Sequence, residues 1–222
     1  MESPVPAPES VPLQASGRAR ALGWFVLAVG VSLGVDLGVK SWSFARVAGE
    51  PVVLTSENAS DPSVNPVPAH APVPVVPYVL SLRLTVNRGA VFGLGQGKRW
   101  VFVVVSVAAV GLIGRLFWRS DPGAWGTHLA LALILSGALG NLYDRLRFGA
   151  VRDMCWLFPD VHLPLGLAWP GGQRDLYPWI FNVADAALVV GVSLMAWLLH
   201  RQDRAEASGS GGSGGSEADA QG

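Results

Sequence analysis

The sequence has few of the residues on which several common kinds of site depend. Among its 222 residues there is a single cysteine, Cys155, so an internal disulfide and a cysteine metal cage are both excluded. The four histidines are scattered and lack the HExxH spacing of a zinc peptidase. Charged residues make up only 14% of the chain and their formal sum is zero, which leaves no basic surface for nucleic acid. We therefore expect no nucleic-acid partner.

Hydrophobic residues, by contrast, are abundant and come in long runs. They make up 50% of the sequence, and the mean hydropathy is +0.39. Four runs are close to the roughly 20 residues that a helix needs to cross the hydrocarbon core. The first run is too long for a signal peptide and carries Asp36, so we interpret it as a membrane span. The sequence therefore predicts an all-α membrane protein with a four-transmembrane-helix bundle, whose spans lie at about 21–39, 100–118, 124–143 and 179–199.

The segments outside these runs are polar. Residues 1–20 are rich in proline, serine and alanine and are expected to be disordered, and residues 201–222 are expected to form a flexible tail. Residues 80–86, in the loop between the first two spans, alternate apolar and polar side chains, which predicts a half-buried strand. We expect the apolar face of this strand, including Leu82 and Leu84, to meet lipid or a substrate rather than only its own sheet.

The first span carries residues that are unusual in a lipid-facing helix. Gly30, Gly34 and Gly38 form a stripe of small residues that is suited to close helix packing. Asp36 and Lys40 lie four residues apart on one face of the helix. We interpret them as an ion pair at the helix exit rather than as direct catalytic groups, because an acid within a span is costly unless it is paired.

Clusters of polar side chains lie at the ends of two spans. They are Asn141, Asp144 and Arg145 at the end of the third span, Asp153 just past it, and Asn182 and Asp185 in the fourth, where Asp185 is expected about two turns into the span. Two carboxylates held together near a low dielectric do not both ionise easily, so Asp153 and Asp185 can share one proton and activate a water. Intramembrane acids also serve as proton or cation relays. The spacing alone leaves open both a protease and a small membrane transporter or channel subunit with a carboxylate relay.

Five blocks of the sequence, taken in order, resemble the motifs of one membrane peptidase family. They are DxxxK at 36–40, NRGAVFG at 87–93, GALGNLYDR at 137–145, VRD at 151–153 and FNVAD at 181–185. On these blocks, which cover most of residues 30–200, the chain resembles lipoprotein signal peptidase, the bacterial signal peptidase II. Val91 stands where the family has alanine, the 45–77 loop is long, and residues 159–178 look like an insertion between the two aspartates.

The resemblance implies a fold, a reaction and a set of site residues. It implies a small extracytoplasmic β-cradle at about 78–98, cytoplasmic termini in the bacterial cytoplasmic (inner) membrane, and a site that faces the extracytoplasmic side. The implied reaction removes the signal peptide from a prolipoprotein that carries diacylglycerol on its cysteine. Membrane lipids and globomycin-type inhibitors are implied partners, and no metal or organic cofactor is expected. The implied catalytic residues are Asp153 and Asp185, and the implied binding and orienting residues are Asn87, Gly89, Phe92, Asn141, Asp144, Arg145, Asn182, Ala184, Asp36 and Lys40.

Overall fold

The fold is dominated by long apolar helices. The computed structural model describes residues 13–89 and 99–210. Within these residues, four helices are long and apolar enough to cross a membrane: α1 (Leu13–Arg46), α3 (Arg99–Arg119), α4 (Trp125–Phe148) and α5 (Val183–Ser210). A short helix, α2 (Ser56–Ser60), lies in the loop after α1. The four apolar helices confirm the prediction of a mainly helical fold of the membrane type.

Helix α1 is longer at both ends than the predicted span at 21–39. It begins at Leu13, so part of the segment that was expected to be disordered is helical. The sequence contains no proline from 13 to 50, so nothing interrupts the helix on either side of the apolar run. Arg18 also fastens the first turns to the end of α3, because its guanidinium donates to the Phe117 carbonyl at 3.2 Å and to the Ser120 carbonyl at 2.8 Å.

Helix α5 begins later and ends later than the predicted span at 179–199. It starts at Val183 because Ile180–Phe181 form a strand, β4, directly before it. It continues to Ser210, so the first part of the predicted flexible tail is helical. The polar turns after the apolar run extend the helix without lengthening its hydrophobic stretch.

Helix α4 is the central helix of the membrane part. Half of its apolar stretch is buried, against 17% or less in the other three helices. Two glycines allow α5 to approach it closely, since a Cβ at Gly191 would lie 2.8 Å from the Ala130 carbonyl and one at Gly137 would lie 2.6 Å from the Leu188 side chain. The glycine stripe predicted for close packing on α1 is different, because a Cβ at Gly34 would meet no atom within 4 Å. Close packing in this chain therefore uses glycines of α4 and α5.

A four-stranded antiparallel sheet sits beside the helix ends. Its strands are β1 (Val73–Val76), β2 (Leu80–Asn87), β3 (Val151–Leu157) and β4, in that order. The predicted strand at 80–86 is therefore present, while the second part of the predicted β-cradle, residues 90–98, lies outside the described residues. Since β3 follows α4 and β4 precedes α5, the sheet ties the end of one membrane helix to the start of another.

The apolar face of β2 packs inside the protein, so the expectation that it meets lipid or substrate is wrong. Leu82 and Leu84 are only 7% and 5% exposed and share a core with Phe44, Val47 and Met154. Phe44 lies on the part of α1 beyond its predicted end, which covers the sheet. Burying an apolar face against a helix is what gives so small a sheet independent stability.

The segment at 159–178, which the sequence suggested to be an insertion, is folded into an arm next to β4. It contains a short 3₁₀ turn, Pro164–Gly166, and its two sides are joined by a hydrogen bond of 2.7 Å from the Leu163 N–H to the Arg174 carbonyl. The ring of Trp169 packs edge-on against Trp179, with centroids 4.8 Å apart. The arm is thus attached to the strand that leads into α5.

Candidate active site

The two predicted catalytic aspartates lie where the sheet meets the helix ends. Asp153 is on β3, opposite Thr85 of β2, and is 1% exposed. Asp185 is in the first turn of α5, not two turns into a span as the sequence suggested, because β4 occupies the preceding residues. The fold thus brings together two carboxylates that come from a strand and a helix.

Two asparagine side chains link the aspartates. Asn182 Nδ2 donates to Asp153 Oδ1 at 2.6 Å and to Asn141 Oδ1 at 3.0 Å. Asn141 Nδ2 in turn donates to Asp185 Oδ1 at 2.8 Å. Each carboxylate therefore receives an N–H from an amide that also contacts the other amide, which fixes the separation and orientation of the pair.

The position of Asp185 is also fixed by a reciprocal cap at the start of α5. The backbone N–H of Asp185 donates to Asn182 Oδ1 at 2.9 Å, and the backbone N–H of Asn182 donates to Asp185 Oδ2 at 3.2 Å. This is a capping box, in which a residue before the helix and one three positions later satisfy each other's N–H groups. The motif FNVAD at 181–185 therefore starts the helix and positions the second carboxylate at the same time.

The environment of Asp153 favours its protonated form. Burial, and after it the nearby charge of Asp185, raise its pKa to about 8, against the lowering effect of hydrogen bonds from Asn182 and Asn87. Asn87 reaches Asp153 because residues 85–87 pair with residues 151–153 in the sheet. At neutral pH this carboxyl therefore holds a proton that it can donate.

A buried lysine connects α1 to the asparagine pair. Lys40 is 0% exposed, and its Nζ lies 2.8 Å from Asp36 Oδ2 and 3.4 Å from Asp144 Oδ2. The same ammonium donates to Asn141 Oδ1 at 3.2 Å. The Asp36–Lys40 ion pair that the sequence predicted is present. Through Asn141 it contacts the hydrogen bonds that hold Asp153 and Asp185 (the dyad).

Asp36 has a second contact that the sequence did not indicate. Its Oδ1 accepts a hydrogen bond of 2.8 Å from the backbone N–H of Ala184, in the first turn of α5. Gly140 of α4 faces the same carboxylate, and a Cβ there would overlap Asp36 Oδ2. Asp36 thus joins α1, α4 and α5 directly beside Asp185.

Arg152 belongs to the same cluster, but the sequence did not indicate its partner. Its backbone N–H, Nε and Nη2 donate to the carboxylate of Asp144 at 3.0, 3.1 and 2.8 Å. Both residues are buried, and the guanidinium also lies over the ring of Phe148. The sequence shows only that Arg152 is next to Asp153 in a polar cluster. That position indicates neither the partner of the side chain nor its burial.

Arg145 contacts the chain that leaves β2. Its Nη2 donates to the Gly89 carbonyl at 3.2 Å, and its guanidinium packs over the ring of Phe102 of α3, 4.9 Å from the centroid. The N–H of Gly89 donates to Asn87 Oδ1 at 3.0 Å. Arg145 therefore holds the turn that carries Asn87 beside the dyad.

The structure places nearly all of the predicted site residues in one connected cluster. Phe92 lies outside the described residues. Within residues 13–89 and 99–210, no group of three or more His, Cys, Asp or Glu side chains is arranged to hold a metal ion. The geometry is observed, and the chemical roles stay predictions for the residues in the cluster: Asp36, Lys40, Asn87, Gly89, Asn141, Asp144, Arg145, Asp153, Asn182, Ala184 and Asp185.

Comparison with known proteins relates this chain to one family. The chain is 36% identical to the lipoprotein signal peptidase of Desulfitobacterium hafniense (strain DSM 10664 / DCB-2) over 134 residues, 60% of this chain and 78% of that protein. It is 39% identical to the lipoprotein signal peptidase of Geobacter sulfurreducens over 139 residues, 61% of this chain and 78% of that protein.

Solved structures agree on the fold. A bacterial membrane enzyme determined by the in meso method at 2.3 Å resolution aligns with a TM-score of 0.60 and 22% identity, over 82% of this chain and 90% of that one. The family model described as signal peptidase (SPase) II matches residues 28–201, a range that contains both aspartates and every side chain that holds them. The chain belongs to the signal peptidase II family.

Proposed function

We propose that this chain is a membrane aspartic endopeptidase that removes the signal peptide from prolipoproteins. The substrate is a precursor that carries diacylglycerol on its cysteine, and the cleaved bond is the one just before that cysteine. The observation that carries the proposal is the amide bridge between Asp153 and Asp185 at the end of the apolar helices. The substrate class is supported by the similar proteins, which are lipoprotein signal peptidases.

The proposed reaction uses one carboxyl as an acid and the other as a base. Asp153 holds a proton, for the reasons given above, and Asp185 is the base. A water between them gives its proton to Asp185 as its oxygen bonds to the scissile carbonyl carbon, while Asp153 protonates the carbonyl oxygen. In the second step the resulting diol returns a proton to Asp153, the C–N bond breaks, and the proton on Asp185 passes to the leaving nitrogen. The products are the carboxyl terminus of the signal peptide and the free amino group of the lipidated cysteine.

Family membership favours a peptidase over a transporter or channel subunit with a carboxylate relay, and so do the contacts of the acidic side chains. A transporter or channel subunit that used Asp36, Asp144, Asp153 and Asp185 would require the acids to exchange protons or cations along a path. Here Asp144 is occupied by Arg152 and Lys40, and Asp36 by Lys40 and the Ala184 N–H. Two of the four carboxylates are thus committed to buried ion pairs, which favours a fixed site over a relay.

The proposal includes a location and further ligands. We place the chain in the bacterial cytoplasmic membrane with both termini in the cytoplasm, so that the dyad opens to the extracytoplasmic leaflet, where a lipid-anchored precursor presents its cysteine. Four spans are consistent with both termini on one side. Membrane lipids surround the site, and globomycin-type inhibitors, which are expected from the family resemblance, would compete with the precursor at the dyad.

The decisive experiment compares amide variants of the dyad with a matched surface variant. Asp153→Asn and Asp185→Asn keep the shape of the side chain but remove the acid or the base. We expect each to lower kcat by at least about 10²–10⁴-fold, because each removes one partner of acid–base catalysis. The control is Asp160→Asn, an exposed carboxyl outside the cluster, which is expected to keep its activity.

The assay uses purified protein in detergent with a diacylglyceryl-modified precursor and the same precursor without lipid. Circular dichroism verifies that each variant is folded. Cleavage of the lipidated precursor at a near-normal rate by either dyad variant would contradict the assignment of the dyad. Equal cleavage of both precursors by the wild type would contradict the substrate class and leave the dyad intact.

A further inference from the structure

A cavity lies at the opposite end of the helices from the dyad. It has a volume of about 670 Å³ and is lined by the first turns of α1, the turn between α3 and α4, and the start of α4. Trp125 at the start of α4 and Asn141 near its end are about 24 Å apart at the rise of a regular α-helix. The cavity is therefore separate from the catalytic cluster, and its volume is in the range of a small-molecule site.

The inner wall of the cavity is apolar. Ala21 and Phe25 line it and are both 8% exposed, because they belong to the core that α1 forms with Phe117 of α3 and Leu131 of α4. Ala28 continues this wall one turn further along α1. A surface of this kind accepts hydrocarbon and offers no partner to a hydrophilic ligand.

The outer rim carries a cation without a polar partner among residues 13–89 and 99–210. Arg20 lines the cavity and is exposed, and no described residue forms a hydrogen bond or ion pair with it. The neighbouring Arg18, by contrast, donates to the Phe117 and Ser120 carbonyls. His128 is likewise occupied, since its Nε2 lies 2.8 Å from Ser120 Oγ. Arg20 is thus available to bind an anion at the rim.

Two tryptophans place the rim at a membrane interface. Trp24 and Trp125 line the cavity and are 66% and 78% exposed. Large, exposed indole rings at the ends of membrane helices are typical of the headgroup level of a bilayer. The cavity therefore has its cation and its exposed aromatic rings at headgroup depth, and its apolar wall continues to Ala28, one turn of α1 deeper.

The charge of the described residues at this end also favours an anionic ligand. Among residues 13–89 and 99–210, three acidic residues at this end, Asp121, Asp203 and Glu206, face six basic ones, Arg18, Arg20, Arg115, Arg119, Arg201 and Arg204. Clusters of this sign next to membrane helices attract anionic lipids.

We propose that this cavity binds one anionic glycerophospholipid. The phosphodiester is held by Arg20, and the first part of one acyl chain lies along Phe25 and Ala28 while the remainder extends into the bilayer. A guanidinium and a phosphate form charge-assisted hydrogen bonds, which supply the selectivity for a lipid with a phosphate group over one without it. The apolar wall supplies the requirement for an acyl chain.

The test is lipid binding by native mass spectrometry and by the shift in Tm, on the full chain purified in detergent. The probes are phosphatidylglycerol, diacylglycerol with the same acyl chains and no phosphate, and free glycerol phosphate. We expect one phosphatidylglycerol to bind about ten- to a hundredfold more tightly than diacylglycerol, as one charge-assisted contact provides. We expect glycerol phosphate alone to give no Tm shift at the same concentration.

Matched variants locate the site. Arg20→Gln is expected to reduce phosphatidylglycerol binding to the level of diacylglycerol, whereas Arg119→Gln, an exposed arginine at the same end, leaves it unchanged. Ala28→Phe fills the apolar wall and is expected to weaken both lipids. Equal binding of the two lipids by the wild type, equal loss in the two arginine variants, or binding of glycerol phosphate as tight as that of the lipid would each overturn the proposal. Cleavage of a precursor by Arg20→Gln tests the dyad separately, because Arg20 is outside the catalytic cluster.

Discussion

The orientation of one amide, that of Asn141, illustrates how the site is set at the scale of single residues. Its Oδ1 accepts hydrogen bonds from Lys40 and from Asn182, so its Nδ2 must face Asp185. A flipped amide would point its donors at an ammonium and at another amide donor, and would leave Asp185 without that N–H. The buried lysine therefore acts on the dyad through Asn141.

The proton on Asp153 leads to a prediction about pH. Its folded-state pKa, raised to about 8 by burial and then by Asp185, exceeds the value of about 3.9 expected in the unfolded chain. The folded protein therefore binds this proton more tightly, and the resulting stabilisation is complete below about pH 4 and is lost as the pH rises to about 8. We predict that kcat also falls as the pH passes about 8, because the acid form of Asp153 disappears.

The measurement is the Tm of the wild type and of Asp153→Asn between about pH 5 and 9, with kcat of the wild type over the same range. The variant has no proton to lose at this position, so its Tm is expected to decline less steeply than that of the wild type. Parallel curves for the two proteins would show that the titrating proton is not on Asp153. Asp160→Asn, which changes only an exposed carboxyl, is expected to follow the wild type.

At the scale of elements, the apolar runs predicted the helices, while their ends depended on contacts that the sequence does not display. The start of α5 at Val183 depends on the pairing of Ile180–Phe181 with β3, and a two-residue strand has no periodic signal of its own. Strand β2 shows the same limit. Its alternation predicted a strand with an apolar face, but what covers that face is decided by α1, which is distant in sequence.

Glycine positions show most directly how packing between elements controls the site. We predict that Gly140→Ala disrupts the cluster, since the new Cβ would overlap Asp36 Oδ2 and lie 3.2 Å from the Ala184 Cβ. Displacing Asp36 would break its contacts with Lys40 and with the Ala184 N–H. The expected cost is about 1–3 kcal/mol of stability, as for other overpacked cores, together with slower precursor cleavage.

The control is Gly34→Ala on α1, where an added Cβ meets no atom within 4 Å. It makes the same chemical change in another membrane helix, and we expect Tm and cleavage rate to stay at the wild-type level. Thermal unfolding and initial rates of both variants provide the comparison. If the two substitutions have the same effect, close packing at Gly140 does not hold the site.

At the scale of the whole molecule, one buried chain of charges joins the membrane helices to the sheet. Asp36, Lys40, Asp144 and Arg152 alternate in sign and sum to zero, which offsets the cost of burying them. The residue types were evident from the sequence, but the pairing was not. Asp144 is adjacent to Arg145 yet pairs with Arg152, because consecutive side chains on a helix point about 100° apart.

The orientation of the molecule in the membrane is the last prediction. The dyad lies at the end of the helices where the sheet is. The start of α1 and the end of α5 lie at the other end. If the substrate is a lipid-anchored precursor outside the cytoplasm, the loop that carries α2 must be extracytoplasmic and the end of α5 cytoplasmic. We predict that Ser63→Cys, in that loop, reacts with a membrane-impermeant maleimide in intact spheroplasts, whereas Asp203→Cys near the end of α5 reacts only after lysis.

The chain suits this experiment because Cys155 is its single cysteine. Burial is the main cause that raises the pKa of the Cys155 thiol to about 11, so little reactive thiolate forms at neutral pH. Cys155→Ala removes the remaining background, and both Ser63 and Asp203 are exposed, so that access to the reagent depends on the side of the membrane. The reverse labelling pattern would put the dyad in the cytoplasm, where a peptidase acting on exported, lipid-anchored precursors could not meet its substrate.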